Sequence, residues 1–352
     1  MHTPSTTPAS ATYSSTGSSR DSGLIFLVAA GLLWGTGGLL GTLLAETTGL
    51  GPAAVAVYRI GIGGLLLIAA LAVSRRPLPR GRAVLRRLIA VGCLAATFQA
   101  CYFTAVSLTS VSLATLVTIG SAPAMVLVGE QLTGRRRVDL HSVGVLVLAI
   151  VGLTLLVGFP ASGSQPAHVV AGLLFALASA ASFAVFTLVC AIPVPGLDGM
   201  ATTAYGFTLG AVLLMPVALF TGGLAFDVDL TSVTLLLALG GVPTALAYVC
   251  FFRGLVRVRA TTAALTALLE PLTGAVLGAV FLGDRLGLIG WLGAVVLSAA
   301  VVLGALAERS GQREEGAPVP SRYPMGSEVP RTSCPCSCPS CRCSGSACAR
   351  LP

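Results

Sequence analysis

Two ionisable side chains, Arg59 and Glu270, interrupt apolar segments of about twenty residues each. Because a charge is costly inside a bilayer, each is by default a candidate functional residue. Glu270 lies about ten residues from either end of its segment, which at the helical rise places its carboxyl about 15 Å deep. A carboxyl at that depth can exchange protons or pair with a cationic solute; the alternative is a packed carboxyl that neighbouring helices hydrogen-bond.

Arg59 lies closer to an edge, about seven residues or about 10 Å into its segment. Two interpretations stay open. Its long side chain can snorkel to the interface, or it can face a cavity, where it binds a carboxylate of a solute or pairs with Glu270.

Two prolines, Pro123 and Pro271, lie inside the fourth and ninth apolar segments, and Pro271 directly follows Glu270. Each removes a backbone donor and frees the carbonyl four residues earlier, at Ile119 and Ala267. Such breaks are tolerated at membrane depth where the freed groups line a cavity or find partners. We expect a site near the midplane between these segments; the alternative is a packing kink in each helix.

Aromatic and amide side chains form a second set of candidates. They can line a cavity wall that holds solutes with both polar and apolar parts. For any single aromatic, ordinary helix packing or an interfacial position is the competing interpretation. The candidates are Trp34, Gln99, Tyr102 and Tyr248.

Two acids follow apolar segments directly. Glu130 precedes the run Arg135–Arg137, and Asp284 precedes Arg285. We interpret both acids as boundary charges at the membrane surface, with a role in a gate as the alternative.

The composition shows which elements must position these residues. The chain has 352 residues, 55% hydrophobic and 10% charged, with a mean hydropathy of +0.91, whereas soluble domains carry about 25% charged residues. Soluble enzymes are excluded, and so is nucleic-acid binding, because the net charge of +8 lies at membrane boundaries. We predict an all-α integral membrane protein with ten transmembrane helices, at 24–45, 52–73, 84–106, 108–128, 138–158, 169–190, 202–221, 233–252, 260–282 and 286–306.

The basic residues, all of them arginine, predict the orientation. With the N-terminus inside, every arginine except Arg59 and Arg285 falls on the cytoplasmic side. This agrees with the excess of Lys and Arg in short cytoplasmic loops. The outside loops carry acids instead: Glu46, Asp227 and Asp229. We therefore predict a multi-pass protein of the cell membrane with both termini in the cytoplasm.

The two halves of the chain form a weak repeat at an offset of about 149 residues. Because each half has five helices, the second copy must enter the membrane from the opposite side. Inverted repeats of this kind are typical of secondary transporters. The matching pairs are Trp34 with Phe183, Gln99 with Tyr248, Cys101 with Cys250, and Pro123 with Pro271.

The sequence also resembles a known family over residues 24–306, the EamA-type transporters of the drug/metabolite transporter superfamily. The resemblance is carried by LLWGTGGLL in the first helix, YRIGIGGLLLIAAL in the second, and the stretch from Ala247 to Leu286. It implies two inverted EamA-like five-helix repeats, at 24–158 and 169–306, that move small metabolites or drugs, commonly outward, without ATP.

The ends of the chain have no apolar periodicity. We expect a disordered cytoplasmic tail at residues 1–22 and a second one, rich in Cys, Pro and Arg, at 307–352. Six of the ten cysteines fall between Cys334 and Cys348. Their alternating spacing is compatible with a soft metal ion, but disorder is the simpler interpretation, and we predict no metal or cofactor.

These features favour a secondary transporter that works by alternating access around a midplane site between the repeats. The expected partners are a small-molecule substrate, the lipid bilayer and, as a candidate coupling ion, the proton, with no nucleic acid. The alternatives are an integral membrane enzyme of lipid or isoprenoid metabolism and a receptor or scaffold. An enzyme would cluster acids or metal ligands at one membrane face, whereas the histidines are dispersed: His2, His141 and His168.

Overall fold

The structure, a computed structural model, describes residues 16–134, 139–158, 166–282 and 287–315. Within those ranges every regular element is a helix, and ten helical segments are long and apolar enough to cross a membrane. The predicted number of spans and the all-α class are confirmed. The described residues between 16 and 312 form one compact unit; of a second unit, which begins at residue 313, only the helical residues 313–315 are described.

The first half contains one helix for each of its five spans. Local caps explain two of the starts: the Ser110 hydroxyl accepts a hydrogen bond from Leu113 N at 3.1 Å, and the Asp139 carboxylate accepts one from Ser142 N at 3.3 Å. The helices are α1 Thr16–Thr48, α2 Pro52–Val73, α3 Arg82–Leu108, α4 Val111–Leu132 and α5 Leu140–Val157.

The second half also supplies five spans, but two of them are broken. The eighth span joins two α-helices through a π-helical turn at Gly241–Leu246, and the ninth is interrupted at residues 267–268 and ends in a π-helical turn at Gly278–Leu282. The helices are α6 Pro166–Cys190, α7 Gly199–Phe220, α8 Leu230–Gly240, α9 Ala247–Leu255, α10 Ala260–Thr266, α11 Leu269–Leu277 and α12 Leu288–Glu315.

Aspartates begin two helices of the second half. Asp198 accepts a hydrogen bond from Ala201 N at 2.7 Å, and Asp229 accepts one from Ser232 N at 2.8 Å. The hydrogen bonds from Ser232 favour the ionised carboxyl and hold the pKa of Asp229, which lies outside the spans, below its usual range. These caps fix where α7 and α8 start.

The outermost helices extend beyond the predicted spans. The first helix begins at Thr16, inside the segment 1–22 for which we expected disorder, and α12 continues to Glu315, past residue 306. A helix does not have to stop where its apolar run stops, so the apolar pattern sets the membrane segment and not the full helix. The rest of both predicted tails lies outside the described residues.

Helices of the two halves pack mainly against each other. The second span packs on the seventh, and the third packs on the sixth and seventh. The fourth span packs on the sixth, while the first packs on the eighth and ninth. The halves are therefore interleaved, and residues from both can meet in the middle of the molecule.

The fifth and tenth spans pack closely against each other. A Cβ atom at Gly152 would lie 2.5 Å from Leu297 N, and one at Gly293 would lie 2.3 Å from Leu156 N. Only glycine allows the backbones of α5 and α12 to approach this closely. Together with the ninth span, the two helices form a separate apolar cluster that includes Leu153, Leu268 and Leu297.

Candidate functional site

A cavity with a volume of about 60 Å³ lies between the two halves. It contains one cationic and one carboxyl side chain within a largely aromatic and aliphatic wall. Five of the six side chains that we predicted for a central site line it, which brings residues far apart in sequence to one place. The lining residues are Trp34, Arg59, Ile60, Leu94, Ala95, Phe98, Gln99, Phe183, Phe186, Phe207, Tyr248 and Glu270.

Arg59 faces this cavity from α2. Its Nε atom donates a long hydrogen bond of 3.4 Å to Thr244 Oγ1, which in turn donates to Leu239 O at 3.0 Å. Thr244 belongs to the π-helical turn of the eighth span. A Cβ atom at Gly37 would be 3.4 Å from the guanidinium carbon, so glycine there leaves space for the arginine head group.

Glu270 lies directly after the break in the ninth span, at the second residue of α11. Among the described residues, no donor hydrogen-bonds its carboxylate, and no cation lies within the 4.0 Å of an ion pair. The two charged groups of the cavity are nevertheless close enough to interact electrostatically. Both therefore line the same cavity without the direct ion pair that the sequence left open.

The two prolines have different effects on the backbone. Pro123 is buried inside α4, which runs through it without interruption. Pro271 follows the break at residues 267–268, where Ala267 O accepts a hydrogen bond from Glu270 N at 3.0 Å. The carbonyl that Pro271 frees is thus satisfied by a tighter turn, and this turn carries Glu270.

Trp34 places a polar atom in the aromatic part of the wall. Its ring is 5.0 Å from Tyr248 and 5.1 Å from Phe251, measured between centroids. The indole Nε1 is buried and has no hydrogen-bond partner among the described residues. An unsatisfied buried donor costs free energy, so this N–H is available to a group that enters the cavity.

Gln99 and Tyr102 lie one turn apart on α3 but differ in their position. Gln99 is buried and lines the cavity. Tyr102 lies beside it: its hydroxyl hydrogen-bonds Thr115 Oγ1 at 2.8 Å, and its ring stacks with Phe98 at 6.5 Å. Tyr102 is close enough to interact electrostatically with Arg59 and Glu270, but it is not part of the wall.

Four phenylalanines of the wall were not among our candidates. In the sequence, Phe183 stands out only as the repeat partner of Trp34, and nothing distinguishes Phe98, Phe186 or Phe207. The rings of Phe186 and Phe207 are 6.3 Å apart. In helices that are apolar on every face, sequence spacing does not distinguish an aromatic residue facing a cavity from one in the core or facing lipid.

The prediction of a boundary charge is wrong for Glu130. Its side chain is only 5% exposed, and its Oε1 accepts a hydrogen bond from Ala260 N at 3.0 Å. The Thr261 hydroxyl donates to Oε2. Glu130, at the end of α4, is therefore the N-terminal cap of α10, and burial is compensated because the carboxylate binds free donors of a helix start.

Several predicted features lie outside the described residues: Asp284, Arg285, the Arg135–Arg137 run and the cysteines from Cys334 to Cys348. Within the part of the chain that the structure describes, no three His, Cys, Asp or Glu side chains are grouped so that they could hold a metal ion.

These observations define a class of protein: a multi-pass helical membrane protein with a largely apolar cavity that contains two charged side chains, between two interleaved halves. The EamA-like transporter family model matches the chain twice, at residues 21–158 and 170–305. The two matches coincide closely with the two predicted repeats.

Individual proteins give the same result. The uncharacterized transporter YwfM of Bacillus subtilis (strain 168) is 31% identical over 294 residues, which is 83% of this chain and 97% of the relative. An uncharacterized transporter of Archaeoglobus fulgidus is 28% identical over 58% of this chain and 70% of its own length. A protein of known crystal structure shares the fold with a TM-score of 0.68 at 20% identity, covering 83% of this chain and 99% of that one. The chain belongs to the EamA-like transporter family.

Proposed function

We propose that this protein is a secondary transporter that moves a small metabolite or drug out of the cell. The central cavity is its substrate site, and alternating access exposes that site to one side of the membrane and then to the other. The observation that carries the proposal is the composition of the cavity: Arg59 comes from the first half, Glu270 comes from the second, and aromatic rings surround both. A site shared between halves changes shape when the halves move.

An inverted relation between the halves would allow this movement. The pattern of packing supports it: exchanging the two halves turns the contact of the third span with the sixth into that of the eighth with the first. The same exchange turns the contact of the fourth span with the sixth into that of the ninth with the first. Both of these contacts therefore have a counterpart, as a repeat that exchanges its two halves requires.

The proton is the coupling ion that we propose. Glu270 has no hydrogen-bond donor on its carboxylate among the described residues, and Arg59 is near but not bonded to it. A carboxyl in this position can bind a proton in one conformation and release it in another, or it can hold the cationic group of a substrate instead.

We also propose that both termini are cytoplasmic and that the protein lies in the cell membrane. The arginines support this orientation because, apart from Arg59 and Arg285, they fall on one side of the ten spans.

The first experiment identifies a substrate and then tests the two charges. The metabolite and drug contents of cells with the gene are compared with those of cells without it, and a solute that differs is chosen. The flux of that solute is then measured in liposomes with an imposed pH gradient. We expect Glu270→Gln and Arg59→Ala each to lower the flux by at least about tenfold, because each loses a charge-assisted contact. Glu46→Gln, which changes an exposed acid outside the cavity, is the matched control and keeps full flux.

Full flux in both cavity variants would refute the cavity as the substrate site. Flux that does not respond to the pH gradient would remove the proton-coupled form while leaving the site intact.

A further inference from the structure

A second cavity, of about 290 Å³, lies on the arginine-rich side of the molecule. It is bounded by the residues that follow α2, the start of α3, the end of α6, the start of α7 and the end of α9. Aromatic packing separates it from the central cavity: Phe252 lines the second cavity, Phe186 lines the central one, and their ring centroids are 5.9 Å apart. Three arginines and one acid line it: Arg76, Arg87, Arg253 and Asp198.

The acid in this cavity is already compensated. Asp198 Oδ2 accepts a hydrogen bond from Arg76 Nη1 at 2.6 Å. The other carboxylate oxygen caps α7 through Ala201 N. Asp198 therefore pairs with Arg76, and among the described residues it makes no ion pair with the remaining arginines of the cavity.

The other two arginines keep their charge. Arg87 donates through Nη1 to Val189 O near the C-terminus of α6, a contact that holds the guanidinium in place without neutralising it. The Arg253 guanidinium lies 5.8 Å from the centre of the Phe26 ring. Among the described residues, neither arginine has a carboxylate within 4.0 Å. The cavity thus has two arginines, Arg87 and Arg253, without a carboxylate partner among the described residues.

We propose that this cavity binds a phosphate group, with Arg253 and Arg87 as its ligands. Guanidinium groups bind phosphate oxygens through paired, charge-assisted hydrogen bonds, and basic pockets between helices at the membrane surface suit lipid head groups. The phosphate comes either from an anionic phospholipid or from a soluble phosphate. The site is separate from the central cavity, and the inference does not depend on the transport proposal.

The test measures binding to the full-length protein in nanodiscs of pure phosphatidylcholine. In one arm, inorganic phosphate is titrated at constant ionic strength; in the other, phosphatidylglycerol replaces a fifth of the lipid. The unfolding temperature and lipid-bound species in native mass spectrometry report binding. The variants are Arg253→Gln and the matched control Arg257→Gln; Arg257 also lies over Phe26, at 5.5 Å, but does not line the cavity.

We expect the wild type and Arg257→Gln to be stabilised alike and Arg253→Gln to lose affinity by about tenfold or more. Stabilisation by inorganic phosphate identifies a soluble ligand, and stabilisation by phosphatidylglycerol alone identifies a lipid. Arg253→Lys, which retains a point charge, should bind with intermediate affinity and serves if Arg253→Gln does not fold. Absence of binding in both arms, or equal binding by Arg253→Gln and wild type, would overturn the proposal.

Discussion

The fourth and ninth spans match in sequence through Pro123 and Pro271, yet their backbones differ. The fourth span is one continuous helix, α4, whereas the ninth is broken at residues 267–268 and ends in a π-helical turn. The third and eighth spans differ in the same sense: α3 is continuous, and the eighth span contains the π-helical turn Gly241–Leu246. The described helices of the first half are uninterrupted, and both interrupted spans belong to the second half.

This difference locates the polar chemistry of the central cavity. The irregular turn of the eighth span presents Thr244 to Arg59, and the break in the ninth span carries Glu270. The repeat, with its offset of about 149 residues, matches Arg59 of the first half with Thr208 of the second. It matches Glu270 of the second half with Ala122 of the first. The repeat is therefore asymmetric in its charges as well as in its backbone.

The largest expected effect comes from the contact that supports the break. A Cβ at Gly35 would lie 2.3 Å from Thr273 Cβ and 2.9 Å from Glu270 O, so Gly35→Ala must displace α1 from α11. We expect it to abolish flux and to destabilise the protein by about 3 kcal/mol. In the matching helix pair, α4 with α6, a Cβ at Gly129 would meet only the flexible end of Leu188. Gly129→Ala should therefore lower the free energy of unfolding by less than about 1 kcal/mol. Thermal unfolding in detergent and liposome flux measure both; equal losses would remove the asymmetry.

The second prediction compares the prolines directly. Pro271→Ala restores a backbone N–H that can compete for Ala267 O and close the break, which would move Glu270. We expect flux to fall by about tenfold, while Pro123→Ala, in a helix that is already continuous, changes it by less than about twofold. Flux measured in parallel for the two variants is decisive, and similar behaviour would mean that the break is only a packing kink.

The third prediction concerns the starts of the same two spans. Ser110 caps α4 locally, but α10 is capped by Glu130, which is 130 residues away from Ala260 and buried. We expect Glu130→Ala to destabilise the protein by about 2–3 kcal/mol, because buried donors lose a charged acceptor. Ser110→Ala should cost about 1 kcal/mol. Denaturant unfolding of both variants provides the comparison, and a smaller loss for Glu130→Ala would contradict the role of a buried cap.

The smallest effect is expected at Trp34, which matches Phe183 in the second half. Since the indole N–H has no partner among the described residues, Trp34→Phe loses no hydrogen bond, and its stability should stay within about 1 kcal/mol of wild type. If the N–H binds substrate, the KM for transport rises while the unfolding temperature is unchanged. An unchanged KM would remove Trp34 from the site without affecting the other residues.

Sequence reasoning identified the spans and the charged residues because both depend on a strong rule: apolar length for spans, and the cost of buried charge for Arg59 and Glu270. It did not identify Phe98, Phe186 or Phe207. Their helices are apolar on every face, so the pattern does not show which face lines the cavity. It misplaced Glu130 because the donors that compensate its burial come from the other half of the chain.

The backbone breaks were only partly predictable. The presence of a proline predicts a break in both spans. Only the span that contains Pro271 is interrupted; the helix that contains Pro123 is continuous. What differs is tertiary: α1 presents Gly31 and Gly35 to the carbonyls of Thr266 and Glu270. A contact of this kind depends on which helices meet, and local sequence does not specify that.

Alternating access to the central cavity is tested most directly by the accessibility of a single cysteine. The ten native cysteines are replaced, Gln99→Cys is introduced in the cavity wall, and a membrane-impermeant thiol reagent is added to either side of oriented vesicles. Glu46→Cys and Arg80→Cys, in exposed segments at opposite ends of the second span, report the two sides. The account predicts that position 99 reacts from both sides while each control reacts from one. Reaction of position 99 from one side only, or from neither, would contradict it.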